Sequence, residues 1–327
     1  MTAPLVTICV PTIGRTRYLD AALKSIREQT YQNYEVLILD NASGPQAQDI
    51  LARFAADTPH VRMLRVDERV PMFANFNRGI RAARGDYIVF FHDDDLYQPT
   101  FLATHVAALE ASPRAAFAAG NYDVIDDGGR RTGRRHGIGR TETWAGRAFI
   151  ESLFRRGRSD LPTPGLVFRR TALTTFDFDE GLPMNWGDFT VLMRMAEKWD
   201  VAVLTDSLYS WRVHGENSSS IAISQTVSIR TRVLLDYCSE YAARHAEDHA
   251  FVTRLEHHAR RCAFRGLVWG WLAAPDAREA ATCRALLQTS HSTTARVLRL
   301  LELTGLTVER RRVVLPTVRY VARLLSA

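Results

Sequence analysis

Gly85-Asp86-Tyr87-Ile88-Val89-Phe90-Phe91-His92-Asp93-Asp94-Asp95 places five apolar residues and one histidine before three carboxylates. A run so short and so apolar reads as a strand buried on both faces, as strands are in a parallel sheet covered by helices. Three consecutive aspartates at its end repel one another unless something cationic neutralises them. Mn2+ or Mg2+ answers that need, because both favour carboxylate and phosphate oxygens, and a diphosphate can fill the remaining positions around the ion. An ion held there also stabilises charge on a departing diphosphate. The competing explanation is that Asp93, Asp94 and Asp95 cap a helix beginning near Pro99, although a cap needs one acid rather than three.

The same rhythm runs through the preceding residues. Val6 to Pro11 is an apolar run ended by Pro11-Thr12-Ile13-Gly14, and Leu19, Leu23 and Ile26 follow at helical spacing. Glu35 to Asp40 is a second buried-strand pattern, closed by the turn Asp40-Asn41-Ala42-Ser43-Gly44. Val61 to Val66 reads as a strand, and Met72 to Arg84 as a helix stopped by Gly85. Such repetition predicts an α/β fold with a mainly parallel central sheet flanked by helices, and it places ligands at the carboxyl ends of the strands. Farther on, Asp126 to Arg140 is rich in Gly and Arg without periodicity and reads as a mobile loop. Pro162 to Arg170 reads as a turn leading into a strand, Phe189 to Trp199 as a helix and Val201 to Val213 as a return strand. Basic amphipathic helices take over from about Ser224, which divides the chain into a domain over residues 1–223 and a C-terminal helical, basic region over 224–327.

With 327 residues and 46% apolar composition, the chain can bury a core and is neither disordered nor fibrous. Cys9, Cys238, Cys262 and Cys283 are scattered without CxxC pairing, which points to a reducing cytosol. The first residues lack a basic region followed by an apolar one, and the longest apolar stretch, Gly266 to Ala274, is too short to span a bilayer. The expectation is a cytoplasmic protein with no signal peptide and no transmembrane helix. A net charge of +6 favours anionic partners, but the arginines are dispersed and form no recognised nucleic-acid module.

Three further positions carry chemistry. Asp40 ends a second strand beside the same crevice, within reach of a nucleobase or ribose, although Asp40-Asn41-Ala42-Ser43-Gly44 is also ordinary turn chemistry. Asp188, in Trp186-Gly187-Asp188, can take the proton of an attacking hydroxyl or can simply cap the helix that follows. His214 ends a strand where its imidazole can complete a metal site, yet a lone histidine is more often surface or satisfied core.

Taken together, the segments from Leu5 to Ser219 resemble the inverting family 2 glycosyltransferases of the GT-A fold, the nucleotide-diphospho-sugar transferase fold. The carrying stretches are Thr7-Ile8-Cys9-Val10-Pro11-Thr12 with Arg15, Gln29 to Glu35, Leu39-Asp40-Asn41-Ala42-Ser43, Asn77-Arg78-Gly79-Ile80, Gly85-Asp86-Tyr87-Ile88, His92-Asp93-Asp94-Asp95 and Arg212-Val213-His214. The resemblance implies that Pro11, Thr12, Arg15, Asp40, Asn77, Asp93 and Arg212 bind the sugar nucleotide. It implies that Asp94, Asp95 and His214 hold Mn2+ or Mg2+, and that Asp188 is the catalytic base. Two departures stand out: Ile13-Gly14-Arg15 where the family often has Asn before the Arg, and Gly187-Asp188 where it often has Glu-Asp. His92 also stands where the family commonly has its first acid.

The resemblance implies a UDP-, GDP- or dTDP-sugar donor, a saccharide or lipid-linked acceptor, and a role in bacterial surface polysaccharide or glycoconjugate synthesis. One rival is a sugar nucleotidyltransferase, but that chemistry normally uses a Gly-rich phosphate loop after the first strand, and Val10 to Arg15 holds one glycine. The other is a non-catalytic nucleotide-binding protein of the same fold, against which the retained acids argue. The stretch from Thr294 to Ala327, with an apolar stripe set against arginines, either makes peripheral contact with the inner face of the membrane or packs on the first domain.

Overall fold

The computed structural model describes residues 3–135, 138–157, 161–182, 184–215 and 223–273, with positions 278, 281–283, 285 and 286 beyond them. In chain order the first elements are β1 (Val6–Thr12), α1 (Thr16–Arg27), β2 (Tyr34–Asn41), α2 (Pro45–Asp57), β3 (Val61–Val66), α3 (Met72–Ala82) and β4 (Tyr87–Phe90). Next come β5 (Leu96–Tyr97), α4 (Phe101–Ala111), β6 (Ala115–Ile125), β7 (Arg131–Arg135), β8 (Glu142–Trp144) and α5 (Gly146–Arg156). A single 3-10 turn, Thr163–Gly165, leads into β9 (Leu166–Arg169), α6 (Arg170–Leu173), α7 (Met184–Ala196), β10 (Asp200–Arg212), α8 (Ile223–Arg244) and α9 (His249–Ala273).

One sheet runs β3-β2-β1-β4-β9-β6-β10-β5, with β7 added on β6 and β8 on β10. The β3-β2-β1-β4 half is parallel throughout, as is the β6–β10 pair. Strand β9 is antiparallel to both its neighbours. Because Val89 pairs with Val167, the residues just before Leu166 are carried to the level at which β4 ends. An antiparallel strand thus adds Thr163 to the edge where the parallel strands present their carboxyl ends.

The buried runs explain the parallel half. Val6, Ile8 and Val10 face one layer with Leu19, Leu23 and Ile26 of α1, and all six are at most 2% exposed. On the other face α3 approaches closely through Gly79, where an added Cβ would lie 2.7 Å from Leu39 Cδ1 and 3.2 Å from Cys9 Sγ. Glycine weakens an isolated helix, but here nothing larger lets the helix lie on the sheet.

The stretch from Asp126 to Arg140 differs from the loop read in the sequence. Arg131–Arg135 pairs antiparallel with Tyr122–Ile125, and Gly129, at φ +84°, makes the turn. Its Gly and Arg content hid a hairpin because the strand has no apolar alternation to show.

Residues 1–152 with 158–219 form one compact unit, and 153–157 with 220–327 form another. In the second, α8 and α9 bury Val227, Leu234, Tyr237, Phe251, Leu255 and Ala259. Cys262 Sγ donates to the Phe154 carbonyl at 3.1 Å. Among the described residues no helix is long and apolar enough to cross a membrane. The stretch from Thr294 to Ala327 lies outside the described residues.

Candidate active site

The three aspartates follow β4 and precede β5, and α4 starts only at Phe101. They therefore cap no helix. Asp93, Asp94 and Asp95 are 1%, 6% and 1% exposed, so each charge needs a partner. Thr12 Oγ1 donates to Asp93 Oδ2 at 2.6 Å, and Arg15 Nη2 reaches Asp93 Oδ1 at 2.8 Å and Asp94 Oδ2 at 2.9 Å. Tyr209 donates its hydroxyl to Asp95 Oδ2 at 2.6 Å, and the Arg212 backbone N–H donates to Oδ1 at 2.8 Å. His214 Nε2 lies 3.1 Å from Asp94 Oδ2. Burial raises Asp93 above the usual carboxylate range against the pull of Arg15. Burial and the neighbouring Asp94 push Asp95 up to about 8.

Arg15 is thus the cation of this cluster. Its replacement by Met leaves two buried carboxylates facing each other. Breaking a buried ion pair from one side costs about 3 kcal/mol. Thermal melts of Arg15→Met should show that loss without metal and a partial recovery with Mn2+; an unchanged melting temperature would mean that Arg15 does not neutralise the acids.

A cavity of about 330 Å3 opens above the cluster. Four buried side-chain atoms in its lining make no hydrogen bond within the protein: Arg15 Nε, His92 Nε2, Thr163 Oγ1 and Asp188 Oδ1. Buried polar groups are normally matched, so a concentration of orphans in one cleft marks a place where a polar ligand belongs. A second cavity of about 740 Å3 shares Ile13, Arg15 and Arg69 with the first and includes Arg17, Tyr18 and His214.

Of the residues expected at the site, Pro11, Thr12, Arg15, Asp93, Asp94, Asp95 and Asp188 line the first cavity, while His214 reaches Asp94 from the second. Asp188 belongs to the second turn of α7, which begins at Met184 rather than Phe189, so it is not a helix cap. Burial pushes it up to about 6, with the nearby Thr163 hydroxyl and backbone pulling the other way. Gly187 beside it has a packing cause: an added Cβ would lie 2.2 Å from Phe73 Cε2, leaving no room for the glutamate common at this place. Gly187→Ala should destabilise the fold by about 1–3 kcal/mol through overpacking, read as a lower urea midpoint.

Three expected ligands do not line either cavity. Asp40 is fully buried, accepting the Ser43 N–H on Oδ1 at 2.9 Å and pairing with Arg65 on Oδ2 at 2.5 Å. Asn77 exchanges two hydrogen bonds with the Phe178 backbone, each 2.9 Å, and so anchors the segment before α7 to α3. Arg212 directs its guanidinium at the carbonyls of Asp94 and Asp127, at 2.7 and 3.0 Å, beneath the Tyr18 ring. It supports the acid cluster from behind. The sequence reading missed Arg69, Thr163 and Trp211, which line the first cavity. Only Pro162-Thr163-Pro164-Gly165 gave a signal, as a turn next to a strand.

His92, Asp94 and Asp95 each offer one ligand atom, all within 4.8 Å of one another. Imidazole nitrogen with two carboxylates suits a borderline-hard divalent ion.

The family model for glycosyl transferase family 2 matches residues 7–197. The chain belongs to glycosyl transferase family 2. This family 2 glycosyltransferase is 26% identical over 235 residues to an uncharacterized glycosyltransferase of Nostoc sp., an alignment covering 68% of each chain. Its fold matches residues 1–349 of S. aureus TarS with a TM-score of 0.63 at 14% identity, over 85% of this chain and 77% of that one. It also matches the Pyrobaculum calidifontis mannosyltransferase PcManGT in complex with GDP-Man and Mn2+, with a TM-score of 0.53 at 17% identity, over 99% and 87%. The GT-A fold of this glycosyltransferase follows from both.

Proposed function

We propose that the chain transfers a sugar from a nucleoside-diphosphate donor to an acceptor hydroxyl with inversion at the anomeric carbon. The observation that carries this reading is a single cleft joining an Arg15-bridged acid cluster to a separate carboxylate, Asp188, whose Oδ1 is buried and unmatched. TarS has also been solved with UDP-GlcNAc and PcManGT with GDP-Man, which supports a nucleotide-sugar donor here.

Asp188 accepts the proton of the acceptor hydroxyl while that oxygen forms its bond to the anomeric carbon from the face opposite the departing diphosphate. The bond from that carbon to the diphosphate oxygen breaks in the same step, so configuration inverts once. Arg15 and Arg69, both in the cavity wall, supply positive charge toward the anionic part of the donor. His92, Asp94 and Asp95 offer an imidazole nitrogen and two carboxylate oxygens within 4.8 Å of one another, a donor set that fits a divalent ion, and His214 lies against Asp94. When bound, Mn2+ or Mg2+ would offset charge on the leaving diphosphate.

A panel of UDP-, GDP- and dTDP-sugars tests the reading by thermal shift with and without Mn2+, since a ligand of the native state raises its melting temperature. The stabilising donor should release nucleoside diphosphate when an acceptor is added, and the product should carry the opposite anomeric configuration. Release of pyrophosphate would instead establish nucleotidyl transfer.

A further inference from the structure

We propose that the end of the cavity walled by Thr163 and Trp211 is an acceptor subsite for the ring of a neutral sugar, with Thr163 holding a hydroxyl beside the one that attacks. This rests on the reading of Asp188 as the base.

Charge divides the cleft. Arg15 follows β1 and Arg69 lies between β3 and α3, whereas Pro162, Thr163, Pro164, Tyr209 and Trp211 come from the β9 and β10 side and carry no cation. A phosphoryl group finds arginines at the first end but carboxylates at the second, Asp188 and the Asp95 that Tyr209 holds at 2.6 Å, which suits a neutral partner.

Thr163 is 1% exposed, and its hydroxyl, close enough to the Asp188 carboxyl to favour the carboxylate, has no partner at full hydrogen-bond geometry. An orphaned buried hydroxyl costs about 1–3 kcal/mol, a deficit that a sugar hydroxyl would relieve. The hydroxyl is also held in place: prolines flank Thr163 on both sides, and the Gly165 N–H donates to the Pro162 carbonyl at 2.9 Å. Trp211 closes this end as a partly buried indole, braced by the Tyr122 ring 6.5 Å away and by β10 pairing. An indole offers a broad apolar face at small entropic cost, which suits the apolar face of a sugar ring.

The test uses the full chain with Thr163→Val, Thr163→Ser and Trp211→Ala. The donor is the sugar nucleotide found in the panel above, and methyl glycosides of glucose, galactose, mannose and N-acetylglucosamine are the acceptor probes. Thr163→Val should raise the KM of the accepted glycoside about tenfold, equivalent to about 1.4 kcal/mol. Serine should restore most of that loss, and Trp211→Ala should raise the same KM at least as much. The donor Kd, read by calorimetry, should not follow. The melting temperature of Thr163→Val should hold or rise, because a methyl replaces an unmatched hydroxyl; a threonine needed only for folding would lower it. A weakened donor Kd with an unmoved glycoside KM overturns the subsite, and so does acceleration by undecaprenyl phosphate and by no methyl glycoside. Both outcomes leave the transferase reading intact. Failure of every sugar nucleotide to bind or react removes that reading, and the subsite with it.

Discussion

Asp188→Asn should lower kcat about 10^2- to 10^4-fold, the range that a positioned general base contributes. The amide keeps the shape of the carboxyl and its place in α7, so the fold should survive, but it cannot take a proton from the acceptor. The pH profile supplies the second half of this expectation. Burial pushes Asp188 up to about 6, and in the proposed mechanism the reacting form is the carboxylate. Activity in kcat/KM should therefore rise with pH through about 6 and level above it, with a slope of one on the acid side. In Asp188→Asn that limb should disappear along with the rate. Initial-rate profiles from pH 4.5 to 8.5 at saturating donor would decide the matter, and a variant that keeps both rate and acid limb would move the base elsewhere.

The parallel half of the fold was legible because β1, β2 and β4 are mostly apolar and the helices between the strands repeat at 3.6-residue spacing. Val6 to Pro11, Glu35 to Asp40 and Tyr87 to Phe91 could hardly be anything but strands buried on both faces. The antiparallel half was less legible, because β7 reads Arg-Thr-Gly-Arg-Arg and owes its existence to pairing with β6 rather than to its own pattern. The acids were legible for an electrostatic reason, since their repulsion needs an answer wherever they fold. Asp40, Asn77 and Arg212 stand at the positions the motifs indicated, and each also has a partner within the protein: Arg65, the Phe178 backbone and the Asp94 carbonyl. A linear sequence shows which groups can bind a ligand but not the partners that the fold gives them. Thr163 is the converse: its prolines signal a turn but no chemistry, and it matters because an antiparallel strand carries it beside the end of β4.

Asp94→Asn should separate activity from stability in opposite directions. Asp94 sits at the centre of the cluster, with Oδ2 facing both Arg15 at 2.9 Å and His214 at 3.1 Å, and it is one of three residues whose ligand atoms converge within 4.8 Å. Asparagine keeps one oxygen in place and removes the charge. Under the proposed function, loss of one preorganised charged group at a leaving diphosphate should reduce kcat/KM about 10^3-fold, or about 4 kcal/mol. Binding of Mn2+, followed by the electron paramagnetic resonance of the free ion, should weaken in parallel. The metal-free fold should respond the other way. Three buried acids in sequence become two, Arg15 keeps its contact with Asp93 at 2.8 Å, and Asp95 loses the neighbour that, after burial, does most to raise it. The melting temperature without metal should therefore hold or rise. A residue present for the architecture alone would do the opposite, and Asp94→Asn that melted lower while still binding Mn2+ and transferring sugar would remove the acid cluster from the chemistry. A site that folds better once its central charge is gone is one whose charges are held together for a ligand.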